Sequence, residues 1–138
     1  MSTAPDYTPL SDGEQQWIAG HVEYGRTLGI EVSDPRSISQ FFDSSFRAIE
    51  SGEQSPEDAN AVVNIVAVLL GEHLCDASNL TWSIVTDEFG TDLCVRGPDT
   101  SKVFFPQSSV AKRWEAGETG WVLPFVSWVN EQVNGAPR

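Results

Sequence analysis

The segment 59–74 is apolar on nearly every side of a helix, and it constrains the fold more than any other part of the chain. Ser55 is suited to cap its N-terminus, and Asp58 follows the cap by three residues. Asn60 and Asn64 are the polar exceptions within it. Because a helix without a polar face is buried on most of its surface, the sequence predicts a central helix that other elements cover.

Two amphipathic helices are predicted before the central one. The first opens with Ser11 and Glu14 at the spacing of a capping box. Its apolar stripe consists of Trp17, His21, Tyr24 and Leu28, beside Ile18 and Val22. The second helix follows Asp34-Pro35, an N-cap residue and a residue suited to the first turn. Its stripe consists of Ile38, Phe41, Phe42, Phe46 and Ile49.

The spacing of apolar residues changes after the central helix from a helical period to the alternation of strands. Leu80, Trp82 and Ile84 alternate with polar residues, and a turn at 87–90 contains a glycine suited to a short hairpin loop. A return strand at 91–96 and a third strand within 102–106 complete a three-stranded antiparallel β-meander. Since so small a sheet is marginal in water, we expect the helices to cover one face.

Two helices are predicted after the meander, a short one at about 109–116 and a last one at about 119–133. In the last helix Trp121, Phe125, Trp128 and Gln132 share one side. The predicted class is α+β, with an N-terminal three-helix segment, the meander and two C-terminal helices. Residues 1–9 are expected to be a flexible N-terminal arm, 10–134 one domain and 135–138 a flexible tail.

Charge and cysteine content limit the partners and the compartment. Twenty acidic residues against eight basic ones give a net charge of −12, which repels phosphate backbones and anionic lipid and favours a basic partner. The N-terminus has no secretory pattern, and the longest apolar run, 61–71, is too short to span a bilayer. We therefore expect a cytoplasmic protein that binds neither nucleic acid nor membrane. Cys75 and Cys94 are expected to be reduced thiols that serve as small core residues.

No established catalytic motif is found. The chain has no phosphate-binding glycine loop and no Gly-x-Ser-x-Gly elbow. The segment 71–77 contains His73 and Cys75, but residues two apart on a helix cannot face each other, so an activated thiolate is not predicted. Two histidines are too few for a dedicated metal site. No catalytic residue, metal or cofactor is assigned.

Lys112-Arg113 is the only adjacent basic pair in the chain, and it has two possible roles. The pair lies in the last turns of the short helix, before Gly117, where the helix dipole favours cations. Glu115 and Glu118 are close enough in sequence to neutralise it. The pair is therefore either part of the helix terminus or a contact for a carboxylate or another anion, and both interpretations stay open.

Several short motifs are spread over about residues 15–133: Gly71-Glu72, Trp82, Asp87 to Leu93, Phe105-Pro106, Val110 to Glu118, Tyr24-Gly25 and the segment ISQFFD. Together they resemble the motifs of an uncharacterised bacterial family, domain of unknown function 3806. The resemblance implies an α+β fold and a small stand-alone bacterial protein. It implies no reaction, ligand or catalytic residue.

Two hypotheses of function follow from these observations. The first is a non-catalytic acidic protein that binds a partner protein, in an immunity-like or regulatory role, the partner being a basic protein or a second copy of the chain. The second is a small-molecule-binding protein or minor enzyme with a pocket between the sheet and the central helix, edged by Glu72, His73, Arg96 and Arg113. A protein that mimics DNA through its carboxylates is a third hypothesis. The candidate contacts are Glu72, His73, Arg96, Lys112, Arg113, Trp121, Phe125 and Trp128.

Overall fold

The computed structural model describes residues 4–98 and 102–134, which form five α-helices and a four-stranded antiparallel sheet. The elements in chain order are β1 (Asp6–Thr8), α1 (Asp12–Thr27), α2 (Pro35–Ser51), α3 (Ala59–Ser78), β2 (Thr81–Asp87), β3 (Gly90–Arg96), β4 (Val103–Phe104), α4 (Pro106–Ala116) and α5 (Val122–Asn134). The class is α+β, as predicted.

Helix α3 lies at the centre of the fold. It is buried over most of its length between Val62 and Leu74, and it contacts α1, α2, α4, α5 and strands β2 and β3. With the short 3₁₀ turn before it, Pro56–Ser78 is long and apolar enough to cross a membrane, yet 61% of its most apolar stretch is buried inside the fold. The prediction of a covered central helix is confirmed.

The predicted N-termini of the first two helices are also confirmed, whereas Ser55 caps the 3₁₀ turn before α3 instead of α3 itself. Ser11 Oγ accepts a hydrogen bond from the Glu14 amide at 3.2 Å, and the Glu14 carboxylate accepts one from the Ser11 amide at 2.7 Å. The Asp34 carboxylate caps α2 by accepting from the Arg36 amide. These contacts are local in sequence, and for that reason sequence spacing alone predicts them.

The orientation of α1 differs from the apolar stripe read from the sequence. Trp17, Tyr24 and Leu28 are exposed, whereas Ile18 and Gly25 are buried. Helix α1 approaches α3 through Gly25, where an added Cβ would lie 2.8 Å from a methyl group of Leu69. Because the close approach of the two helices requires the smallest residue at their contact, the bulky aromatic side chains face outward.

The sheet has a fourth strand that the sequence analysis did not predict. Its strand order is β1-β2-β3-β4, and Asp6 and Thr8 of β1 pair with Thr86 and Ile84 of β2. The prediction of a flexible arm is therefore wrong for residues 6–8, and the helices are not the N-terminal part of the fold. A three-residue strand has too few positions to show alternation, and it forms because β2 offers an edge. The predicted tail, 135–138, lies outside the described residues.

The two C-terminal helices begin at different residues from those predicted. Helix α4 starts at Pro106, which occupies the first turn, where no amide hydrogen is needed. Helix α5 starts at Val122, after Gly120 in the left-handed conformation. The amide of Gly120 donates to the Asp43 carboxylate of α2, a contact between distant parts of the chain that sets where α5 begins.

A tryptophan of β2 makes a close contact between the sheet and α3. An added Cβ on Gly71 of α3 would lie 2.2 Å from the Trp82 ring, so the indole rests directly on the helix backbone. The Trp82 indole N–H donates to Oε1 of Glu72 at 2.8 Å. The sequence pair Gly71-Glu72 thus has a physical reason: the glycine makes room for the ring and the carboxylate accepts its N–H.

Replacing Gly71 by alanine tests this contact. We expect the free energy of unfolding of Gly71→Ala, measured by urea denaturation, to fall by about 1–3 kcal/mol because the ring must shift away from the helix. Gly20→Ala is the matched control, since Gly20 is also helical and has nothing within 4 Å of an added Cβ. That variant should be as stable as wild type or up to about 1 kcal/mol more stable. Equal effects of the two substitutions would contradict the assigned contact.

Candidate functional site

A groove of about 660 Å³ lies between α1, the loop that joins α1 to α2, and α3. Its apolar wall consists of Leu10, Ile18, Val22, Ile30, Val32 and Trp82. The volume is within the range of small-ligand sites, and it is also large enough for a long side chain of another protein.

The polar lining of the groove is strongly acidic. Four carboxylates line it, from Glu23, Glu31, Glu72 and Asp76, against one guanidinium, from Arg26. Arg26 forms an ion pair with Glu23 on its own helix. Among residues 4–98 and 102–134 the other three carboxylates have no ion-pair partner. The groove therefore presents an unneutralised negative charge beside an apolar wall.

Glu72 is the most fixed of these carboxylates. It is half-buried, and its Oε1 accepts the hydrogen bond from the Trp82 indole. Asp76 lies four residues later on α3, and side chains at that spacing share a helix face. Both carboxylates line the same groove, one held by the indole and the other exposed at the surface.

His73 supports the groove without lining it. The side chain is buried, and its Nδ1–H donates to the carbonyl oxygen of Val32 at 2.7 Å. Val32 belongs to the loop between α1 and α2 and lines the groove. The prediction that His73 contacts a ligand is not supported by this geometry, because its ring fastens the loop to α3.

The two cysteines have raised pKa values. Burial, together with the nearby carboxylates of Glu72 and Asp76, raises the pKa of Cys75 to about 12. Burial also raises the pKa of Cys94 to about 11, with Arg96 acting in the opposite direction. Both thiols therefore keep their protons near neutral pH, whereas a nucleophilic cysteine requires a thiolate.

The four residues expected to edge a pocket between the sheet and the central helix are not brought together. Glu72 lines the groove and His73 lies behind it, whereas Arg96 lies over the Tyr7 ring of β1 with its Cζ 4.3 Å from the ring centre. Arg113 lies in a separate cavity. The Trp82 ring rests on α3 at Gly71, where the pocket between the sheet and the central helix was expected.

The cavity that contains Arg113 lies between the end of α4 and the start of α5, and its volume is about 570 Å³. The candidate contacts Trp121, Phe125 and Trp128 line it together with Arg113. The Arg113 Cζ lies 5.5 Å from the ring centres of both Trp121 and Phe125. Lys112 is exposed and does not line this cavity.

The geometry of Arg113 is relevant to the two possible roles of the basic pair Lys112-Arg113. Its carbonyl oxygen accepts the amide of Glu118 at 3.0 Å as α4 ends, with Gly117 in the left-handed conformation. Its side chain faces the aromatic rings. Neither Glu115 nor Glu118 forms an ion pair with the basic pair, contrary to the expectation that they neutralise it. The backbone thus ends the helix, and the guanidinium is left for another role.

Some residues of these surfaces were not found from the sequence. Glu23 and Glu31 reach the groove only through the packing of α1 and its loop, and acids are too common in this chain to stand out. Phe89 was read only as part of a turn, yet it is 90% exposed at the tip of the β2–β3 hairpin. A phenylalanine within an acidic turn was the available sequence signal.

A family model described as "Domain of unknown function (DUF3806)" matches residues 42–125, which is more than half of the chain. The chain belongs to this family. The matched DUF3806 region includes Gly71, Glu72 and Trp82 as well as Arg113 and Trp121, whereas α1 and its loop, which form the other side of the groove, precede it. The family description names no activity.

No curated protein matches the chain. A crystal structure of a protein from Bacteroides thetaiotaomicron VPI-5482 is similar, with a TM-score of 0.64 and 13% sequence identity. The similarity covers 99% of this chain and 50% of that one, so the chain spans about half the length of that protein. At this identity the likeness shows the fold alone.

The raised thiol pKa predicts how stability depends on pH. Because the folded state holds the Cys75 proton up to a pKa of about 12, against an ordinary value of 9.0, its contribution to stability is complete below pH 9.0 and is lost as pH rises above it. We expect the free energy of unfolding to fall less steeply between about pH 8 and about pH 10.5 in Cys75→Ala than in wild type.

Urea denaturation at several pH values measures this slope, and the difference between the two proteins removes the contribution of other groups. Near neutral pH the same thiol should react with iodoacetamide more slowly than it does in the urea-unfolded chain. Faster alkylation in the folded protein would indicate an activated thiolate and would contradict the assignment.

Proposed function

We propose that the protein is a non-catalytic acidic protein that binds a basic partner protein, and that the groove receives a lysine or arginine side chain of that partner. The observation that carries this proposal is the pair Glu72 and Asp76, which lie on one face of α3 and have no ion-pair partner among the described residues. Glu31 adds a third carboxylate from the loop.

The arrangement suits a long cationic side chain for two reasons. Trp82 holds the Glu72 carboxylate in place, so little conformational entropy is lost when a cation binds it. The aliphatic stem of a lysine or arginine packs well on apolar residues such as Ile18 and Val22 while its charged end reaches the carboxylates.

The charge of the whole chain supports a basic partner. A net charge of −12 attracts basic proteins at a distance and speeds their association. An immunity-like or regulatory protein acts in this manner, by occupying a partner surface without a reaction. The protonated state of Cys75 and Cys94 agrees with a role that needs no nucleophile. The proposal places the protein in the cytoplasm, where such thiols stay reduced.

The hairpin tip favours a protein over a small molecule. Phe89 is 90% exposed, and its amide donates to the Asp87 side chain at 2.8 Å, which fixes the turn that presents the ring. Glu88 and Asp92 are exposed beside it in the sequence. An exposed aromatic ring among carboxylates is complementary to an apolar pocket with a basic rim.

A small organic cation is the second candidate, and the groove volume of about 660 Å³ favours it. Such a ligand would use the same carboxylates and apolar wall. A free diamine or lysine amide would then bind as tightly as a lysine within a peptide, whereas a protein partner gains affinity from contacts outside the groove.

Titration with an oligolysine peptide, followed by NMR through the signal of the Trp82 indole N–H, tests whether the groove binds a cationic side chain. We expect saturable shifts there that weaken as salt is added, and Glu72→Gln with Asp76→Asn should lower the affinity about tenfold or more. The glutamine still offers an acceptor to the indole, so the fold is preserved. The matched control is Glu57→Gln with Asp58→Asn, which removes the same charge at exposed positions outside the groove.

Equal losses in the two double variants would show that only net charge matters, and the groove assignment would then be wrong. Lysine amide binding as tightly as the peptide would favour the second candidate.

A further inference from the structure

We infer that the cavity between α4 and α5 is a second binding site, and that it takes a small molecule in which a carboxylate is attached to a planar apolar group. The inference goes beyond the proposed function, because this cavity is separate from the acidic groove and contains a guanidinium. Arg113, Trp121, Phe125 and Trp128 line it.

Arg113 is the first reason to expect an anion. The chain has 20 acidic residues, yet no carboxylate in residues 4–98 and 102–134 lies within 4.0 Å of this guanidinium. Its Nε is enclosed and has no hydrogen-bond acceptor. A guanidinium binds a carboxylate through two parallel N–H bonds, and a carboxylate in the cavity would bind the terminal Nη atoms, because the enclosed Nε is out of its reach.

Trp121 is the second reason, and it is independent of the charge. Its side chain is only 7% exposed, and its indole N–H also lacks an acceptor. Buried N–H groups are almost always hydrogen-bonded, because leaving one unsatisfied is costly. Two such donors occur here in neighbouring side chains, since the Arg113 Cζ is 5.5 Å from the Trp121 ring centre.

The other residues that line the cavity determine the apolar part of the ligand. Trp128 is 49% exposed, and its ring centre lies 5.9 Å from that of Phe125, so both rings offer surface to a planar group. Glu118 also lines the cavity, and its negative charge disfavours a ligand that carries more than one carboxylate. The cavity volume of about 570 Å³ suits a small molecule, and these features together specify an aromatic monocarboxylate.

Phenylacetate is the probe, and phenylacetamide is its neutral counterpart of nearly the same shape. We expect phenylacetate to shift the Trp121 indole N–H signal saturably in the wild-type protein, with an affinity at least about tenfold higher than that of the amide. This comparison needs no substitution. N-acetylphenylalanine, which imitates the carboxyl end of a peptide, should not bind more tightly than phenylacetate.

Two neighbouring substitutions provide the matched test. Arg113→Gln should lower the affinity about tenfold or more, whereas Lys112→Gln removes the same charge from the adjacent exposed residue and should leave the affinity unchanged. Arg113→Lys keeps the positive charge but lacks the two parallel N–H donors of the guanidinium, so it should lose part of the affinity. This variant keeps the test decisive if Arg113→Gln does not fold.

Several results would overturn the inference. They are the absence of saturable binding in wild type, equal binding of acid and amide, and equal losses in the Lys112 and Arg113 variants. Tighter binding of N-acetylphenylalanine would assign the cavity to a peptide terminus instead of a free small molecule.

Discussion

The contact between Trp82 and α3 underlies both the fold and the candidate site. The indole lies on the backbone at Gly71, where no side chain fits, and its N–H is bound by Glu72. The ring rests on the central helix where a pocket between the helix and the sheet was expected. The same hydrogen bond fixes the carboxylate that faces the acidic groove. The pair Glu72 and Trp82 therefore belongs both to the contact between the sheet and α3 and to the acidic groove.

Features that depend on neighbours in the sequence were predictable, and features that depend on distant elements were not. The buried helix α3, the capping box at Ser11 and the hairpin at 87–90 each follow from local composition and spacing. Strand β1 exists because β2 offers an edge, and a three-residue segment cannot signal this by itself. The outward face of α1 follows from the contact of Gly25 with Leu69, which no periodicity reveals.

The candidate sites show the same division. Glu72, His73, Arg96 and Arg113 were expected at one pocket, but tertiary packing places Glu72 in the acidic groove and Arg113 in the second cavity. The groove gains two further carboxylates, those of Glu23 and Glu31, from α1 and its loop, which sequence spacing could not reveal. As proposed, one surface takes a cation and the other a carboxylate, so the two would bind different ligands independently.

We expect the Trp82 contact to make the sheet and α3 one cooperative unit. Native-state hydrogen exchange tests this directly, through the amides of α3 and those of β2. The most protected amides of both elements should exchange only by global unfolding, with the same free energy of opening. Exchange of the β2 amides at a much lower free energy, while those of α3 stay protected, would contradict it.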